Sequence, residues 1–389
     1  MKLSLIKNAN VFSPEALGVV DVLVGGGKIL AIGESLSESF AGVTDVVDAG
    51  GAYVLPGLID GHVHITGGGG EGGFKTRTPE LTLTDCIEAG ITTVVGVIGT
   101  DGTSRTMANL VAKAKGLTEE GITCYCQSGN YHIPVKTLTG SIQDDMMFVQ
   151  EIIGAGEIAI ADHRSSQPTV QELAKLASEA RIGGMLSGKG GTVTIHIGDG
   201  KDELDLLEEV IETTVLPISQ FWPTHINRNP SLVERGIAFA KRGGVVDLTT
   251  SCLEEEEEDE LAPSKILAQM LREGVRADHV TFTSDGQGSL PSFHPDGSFK
   301  GLEVGRVTSL FKEVRDAFLV EGLDLETAWS VATTNVADVL KLEGKGKISL
   351  GYDADLLIVE PDSFEIESVM AKGVWLKLGG QQLVKGTFE

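Results

Sequence analysis

Residues 55–71 read LPGLIDGHVHITGGGGE: an apolar run closing on two histidines one residue apart, then four glycines and a carboxylate. Side chains at i and i+2 of a strand face the same side, so a strand here presents His62 and His64 in one direction. Neutral imidazole is the commonest protein metal ligand. A pair of this kind is half of a metal site or an ordinary pair of half-buried histidines, and ligands further along the chain decide between the two.

Outward from this stretch, short β-branched runs recur between helical segments. They are Ile59–Ile65, Thr92–Ile98, Ile122–Ser128, Glu157–Ala161, Thr192–Ile197, Gln220–Ile226, Val245–Thr250 and Val280–Ser284. Between them lie helix-like stretches such as "TVQELAKLASEARIGG" and "DELDLLEEVIETT", ending near Gly or Pro. Alternating strands and helices make parallel βαβ units, and eight of them predict an α/β fold of the (β/α)8, TIM-like barrel type. The ends differ. Residues 1–56 and 345–389 read as short strands with Gly turns, as in "VDVLVGGGKILAIGE" and "GKISLGYDADLLIVEP". We expect these two ends to pair into one small β-sandwich domain around a barrel of residues 57–344.

The chain of 389 residues is long enough for one large barrel or two to three ordinary domains. Its formal charge of −25 argues against nucleic acid or an anionic membrane as partner. No window approaches 18 uninterrupted apolar residues, so no membrane span is expected. "MKLSLIKNANVF" reads as a first strand, not a signal peptide. Four cysteines, Cys86, Cys124, Cys126 and Cys252, are too sparse for a disulfide framework and fit a reducing cytoplasm. The seven consecutive acids of 254–260 read as a solvated loop without a catalytic role.

In barrels of this class chemistry gathers at the carboxyl ends of the strands. His62 and His64 end the first strand, Glu157 lies on the fourth, His196 ends the fifth, His225 the sixth and Asp285 the eighth. Such a cluster without cations is costly, so metal coordination is the better explanation. Of the other histidines, His279 and His294 read as packing or surface residues, and for His163 a place behind the ligands is the lesser alternative to such a role.

The motifs "PGLIDGHVH", "SDG" around Asp285 and "GKISLGYDADLLIV", with His196 and His225, resemble the amidohydrolase superfamily along essentially the whole chain. Within it, "HITGGGGEGG", "GTDG", "GNYHIP", "DHRSSQP", "PTHINRN" and "SDGQGS" resemble the isoaspartyl dipeptidases (β-aspartyl peptidases, metallopeptidase family M38). The resemblance implies a metal-dependent hydrolase with two divalent ions, zinc first among them, cleaving the β-aspartyl amide bond of dipeptides. One ion is then held by His62, His64 and Asp285 and the other by His196 and His225, with a carboxylate and a hydroxide bridging them. Asp285 shuttles the proton and Tyr131 donates to the developing oxyanion. Gly69, Glu71, Thr100, Tyr131, Arg164, Arg228 and Ser289 are the implied substrate contacts. The resemblance also implies a homo-oligomer of the octamer-of-dimers type.

One position departs from the family pattern. The usual bridge is a lysine carboxylated by CO2, but the residue seven before Arg164 is Glu157. Its charge matches a carbamate's, whereas its reach falls short by roughly 3–4 Å at about 1.25 Å per bond. We expect the backbone to approach more closely, helped by "GAGE" at Gly154–Glu157, with Lys189 as the alternative bridge. Two other readings share the scaffold. One is hydrolysis of a cyclic amide or N-acyl amino acid, as in dihydroorotase, hydantoinase and deacylase relatives. The other is a non-catalytic assembly protein like the collapsin-response mediators, which lack parts of the ligand set.

Overall fold

The computed structural model describes residues 3–36, 44–251, 261–293 and 299–389. The acidic run, Cys252 and His294 lie outside the described residues. The chain begins with β1 (Leu3–Phe12), β2 (Ala16–Gly25), β3 (Lys28–Gly33), β4 (Thr44–Asp48) and β5 (Tyr53–Pro56). Between β2 and β3 only Gly26 and Gly27 turn the chain, both at positive φ (61° and 80°), as a tight type I′ hairpin requires.

Eight strands then alternate with helices. They are β6 (Leu58–Val63), β7 (Ile91–Gly96), β8 (Thr123–Ser128), β9 (Ile152–Ile160), β10 (Val193–Ile197), β11 (Phe221–Thr224), β12 (Val246–Thr249) and β13 (Val280–Thr283). The helices between them are α1 (Leu83–Glu88), α2 (Met107–Glu120), α3 (Ile142–Phe148), α4 (Val170–Ser187), α5 (Asp205–Thr213), α6 (Pro230–Lys241) and α7 (Pro263–Arg272). Local chemistry starts several of them. Thr82 with Asp85, and Thr169 with Glu172, form reciprocal capping boxes. Asn229 caps α6 just before Pro230.

Parallel ladders join β6 to β11 in chain order and β12 to β13. Val63 bridges to Gly286, just past β13, where His64 N donates to Gly286 O at 2.9 Å. This curled parallel sheet with its helices is the expected (β/α)8-type architecture. Every residue of β6, β7, β9 and β10 is buried, which explains why these strands read as near-continuous apolar runs.

After β13 come a hairpin, β14 (Ser289–Phe293) and β15 (Phe299–Val304), and helices α8 (Thr308–Leu319), α9 (Leu325–Ser330) and α10 (Thr334–Leu340). The chain ends in β16 (Leu356–Val359), β17 (Ile366–Ala371), β18 (Val374–Leu378) and β19 (Gln381–Gln382). Both chain ends meet in one nine-stranded sheet ordered β19-β18-β17-β16-β5-β1-β2-β3, with β4 beside β1. The join is β5 against β16, antiparallel, with Val54 opposite Ile358. Ile6, Val11, Val22, Val54, Ile358 and Met370 belong to the separate core of this sheet.

Where sheet and barrel meet, Lys345 is buried. Its ammonium donates to Asp355 Oδ2 (2.6 Å) and Thr123 Oγ1 (2.6 Å) and lies 2.9 Å from Asp353 Oδ2. Burial opposes the charge, but Asp355 and Asp353 outweigh it and raise the lysine pKa.

Two boundaries differ from expectation. The fourth barrel strand starts at Ile152, five residues before Glu157, because Gly154 and Gly156 are strand residues in close contact with β10. A Cβ on Gly154 would stand 2.4 Å from Thr192 O, and one on Gly156 2.9 Å from Thr194 Cβ. Helix α4 likewise continues through Gly183–Gly184 to Ser187, since a Cβ at Gly183 would lie only 3.2 Å from Met146 of α3.

Candidate metal centre

Glu157 is the hub of the barrel mouth, fully buried with its two oxygens turned to different histidine pairs. Oε2 lies 3.3 Å from His62 Nε2 and 3.8 Å from His64 Nε2. Oε1 lies 2.7 Å from His196 Nδ1 and 3.4 Å from His225 Nε2. Asp285 closes the first side, with Oδ1 3.0 Å from His64 Nε2 and 3.8 Å from His62 Nε2. The structure thus brings all six expected ligands together at the strand ends. His62, His64 and Asp285 form one group with ligand atoms within 4.8 Å of one another, and His62, Glu157 and His225 form a second.

Several of these atoms lack hydrogen-bond partners although buried: His62 Nδ1 and Nε2, His64 Nδ1, Glu157 Oε2 and Asp285 Oδ1. Buried polar atoms in native proteins are satisfied in the great majority, so a concentration here fits bound cations. The electrostatics agree. Burial opposes a charge on His62, yet Glu157, then Asp285, outweighs it and pushes the pKa up to about 9. Glu157 is held well below the carboxylate range despite burial, by His62 and by the close His196 and His225 rings. The pocket therefore calls for positive charge. His225, by contrast, is pushed down to about 3 by burial and by His196, leaving the neutral imidazole that ligates metal. Its Nδ1 is fixed by Thr249 Oγ1 at 2.6 Å.

His225 and Asp285 both hold positive φ (66° and 52°), which non-glycine residues adopt at some cost and mostly where function requires it. Behind the ligands, Asp60 of β6 accepts from the Ser284 backbone N–H (3.1 Å) and from the Ser284 hydroxyl, bracing the turn that carries Asp285. Asp247 of β12 sits in a cage of threonine hydroxyls, from Thr224 (2.6 Å), Thr281 (2.7 Å) and Thr283 (2.6 Å). Burial pushes Asp60 up to about 7 and Asp247 up to about 6.

A cavity of about 340 Å³ opens beside the ligands. Gly69, Glu71, Thr100, Tyr131, Arg164, Arg228 and Ser289, the expected substrate contacts, all line it. Gly69 needs its glycine: at φ 65° a Cβ would lie 2.5 Å from Thr76 O. Thr100 Oγ1 is buried without a partner. Tyr131 OH is 3.0 Å from His196 Nδ1, and burial, then Glu157, pushes its phenol well above the usual value, so it keeps its proton. Arg164 lies over the Tyr131 ring (5.4 Å) with Nη1 3.4 Å from Glu71 Oε1. Arg228 Nε donates to Ile197 O at 3.0 Å.

Lys189 does not reach the centre. Its ammonium donates to Met146 O, Val149 O and Ile152 O at 2.6–2.9 Å, at the start of β9. Among the described residues no lysine lines the cavity. His163 lines the cavity with its ring 84% exposed, 3.6 Å from Asp162 Oδ1. The residue beside the ligands is Asp162 itself, which sequence reasoning passed over; its signal was a carboxylate just past the fourth strand, two residues before Arg164. Arg105 was also passed over. It is buried, and its guanidinium donates to Thr66 O (3.2 Å) and Gly68 O (2.7 Å), pinning the glycine loop.

Barrel, strand-end histidines and the buried carboxylate between them define a hydrolase of the amidohydrolase class. The profile of the Amidohydrolase family matches residues 53–376, and the chain belongs to that family. Among solved structures it is similar to the β-aspartyl dipeptidase of Fervidobacterium islandicum AW-1 in complex with β-Asp-Leu dipeptide. The two share 47% identity over 98% of each chain, with a TM-score of 0.90. Among curated proteins it is similar at 24% identity to an allantoinase of Enterococcus faecalis, over 92% of this chain and 87% of the relative. It is also 24% identical to a dihydroorotase of Lactiplantibacillus plantarum, over 95% of this chain and 92% of the relative.

Proposed function

We propose that this chain hydrolyses the β-aspartyl amide bond of dipeptides. Glu157, with one oxygen toward each histidine pair, is the observation that carries the two-ion part of this reading. His62, His64 and Asp285 would hold one divalent ion, His196 and His225 the other, and Glu157 both; zinc suits this donor set. Bound there, the ions supply Lewis acidity, lowering the pKa of a water molecule and polarising the scissile carbonyl. Asp285 takes the proton of the attacking water and passes it to the leaving amine. Tyr131 keeps its proton and donates to the oxyanion as it develops. The sparse cysteines favour a reducing cytoplasm, and the family resemblance implies a homo-oligomer.

A β-linked aspartyl residue keeps its α-ammonium and α-carboxylate together, one methylene from the scissile amide. A selective site needs an anion for the ammonium and donors for two carboxylates, one on each residue. Glu71 supplies the anion, and Arg164 and Arg228 supply bidentate grips from around the same cavity. Thr100 Oγ1, Ser289 and the Gly69 backbone supply neutral contacts. The β-Asp-Leu complex of the 47%-identical relative supports this choice over the cyclic-amide reading, whose curated relatives share only 24%.

The test compares isoAsp-Leu, Asp-Leu and dihydroorotate as substrates. Glu71→Gln, Arg164→Met and Arg228→Met should each keep two ions while kcat/KM for isoAsp-Leu falls about 10²-fold, or about 2.7 kcal/mol. Equal cleavage of Asp-Leu, or preferred cleavage of dihydroorotate, overturns the β-aspartyl reading.

A further inference from the structure

We propose that Asp162 is a positioning residue that couples the metal ligand His196 to the substrate-gripping Arg164, so that ion retention and dipeptide binding strengthen each other. The proposal rests on the function proposed above. Asp162 stands just past β9 and is 4% exposed. Its backbone carbonyl is held by Ser165 N (3.0 Å) and Gln167 Nε2 (2.9 Å), so the loop presents the carboxylate in one orientation.

Both carboxylate oxygens are engaged. Oδ1 accepts from Arg164 N (2.7 Å) and Arg164 Nε (3.0 Å). Oδ2 accepts from Arg164 Nη2 (2.7 Å) and from His196 Nε2 (2.9 Å). An ionised carboxylate only accepts, so the His196 proton belongs on Nε2. That leaves the Nδ1 lone pair facing Glu157 Oε1 at 2.7 Å, the side on which an ion would sit. A carboxylate behind a ligating histidine fixes its tautomer and ring orientation and raises its basicity.

The coupling follows from sharing. Arg164 and His196 draw on one oxygen, and their nitrogens stand only 3.4 Å apart. The substrate's carboxylate competes with Asp162 for the guanidinium. As Arg164 turns part of its hydrogen bonding to the substrate, more of the Oδ2 charge falls on the His196 N–H. The imidazole becomes the better donor and the ion is held more tightly. By linkage, the bound ion must strengthen dipeptide binding by the same factor. A purely local role, fastening the loop through the Arg164 backbone N–H, predicts neither effect.

The experiment follows ion release from the holoenzyme into a chelator. The probe is a β-aspartyl dipeptide isostere with methylene in place of the scissile N–H, at saturation for each protein. In the wild type the isostere should slow release of one ion at least about tenfold. Asp162→Asn should release that ion about 10–100-fold faster without the isostere, in the range of outer-shell changes at metal sites. It should also lose most of the isostere's protective factor. Arg164→Lys, which keeps the charge but not the fork, should lose the protection while keeping slow basal release; it carries the test if Asp162→Asn does not fold. Wild-type release and protection in either variant overturns the proposal. If the wild type does not cleave β-aspartyl dipeptides, the functional reading fails instead, and basal release from Asp162→Asn still reports the hold on His196.

Discussion

The clusters of charge at the seam and at the barrel mouth are finished differently. At the seam, Lys345 satisfies Asp355, Asp353 and Thr123 at once, Lys372 N caps Asp355 Oδ1 at 2.7 Å, and Lys28 pairs with the outer Asp353 oxygen. At the mouth, the histidines, Glu157 and Asp285 converge with five buried atoms left without partners. A buried ion cluster closed by its own cation needs nothing further. One left open in the same molecule, beside a cavity, is built for a charge from outside.

The contrast can be broken most sharply by removing that charge. Chelation of the holoenzyme, or Glu157→Gln, should lower kcat/KM about 10³-fold or more, since the ions supply several kcal/mol of transition-state stabilisation. Elemental analysis should find close to two ions per chain in the wild type and fewer in the variant. Full activity in metal-free protein would make the open cluster a structural one.

Next in size is the reciprocal change. Lys345→Met takes the cation from the buried Asp355 carboxylate and should cost about 3–5 kcal/mol of stability in a denaturant titration. Activity per folded molecule should stay near wild type. Glu157→Gln should disturb metal-free stability much less. If Lys345→Met abolishes activity at wild-type stability, the seam is part of the mouth and the distinction fails.

The smallest expected effect is none. A carboxylated lysine needs CO2, and a glutamate does not. Metal-free protein given zinc should regain equal activity with and without bicarbonate, and strong bicarbonate dependence would refute Glu157 as bridge.

These clusters also show what the sequence makes legible. Strand ends carry a signal of their own: His62 and His64 share a face by period, and His196, His225 and Asp285 each fall at the close of a strand-like run. The start of β9 does not, because glycines that permit contact with β10 are the same residues that punctuate turns. Asp162 is a lone acid in a loop, and nothing in its spacing says that it meets a histidine 34 positions on. The cage around Asp247 draws hydroxyls from two other strands, β11 and β13, so only the curled sheet assembles it. Lys345 has its carboxylate partner Asp355 close by in sequence, but its burial shows only in the fold, where it also meets Thr123, 222 residues away.

The β5–β16 pairing has a consequence in time. Strand β5 leaves the ribosome early, yet the strand that covers its open edge follows about 300 residues later, or about 15–60 s at ordinary elongation rates. Through that interval the apolar backbone edge at Val54 and Leu55 is a pairing template without its partner. The nascent chain therefore passes through a long window in which the fold leaves this edge of its first sheet uncovered. Synonymous changes that slow translation of the barrel should raise aggregation of newly made protein while leaving the finished enzyme unaltered.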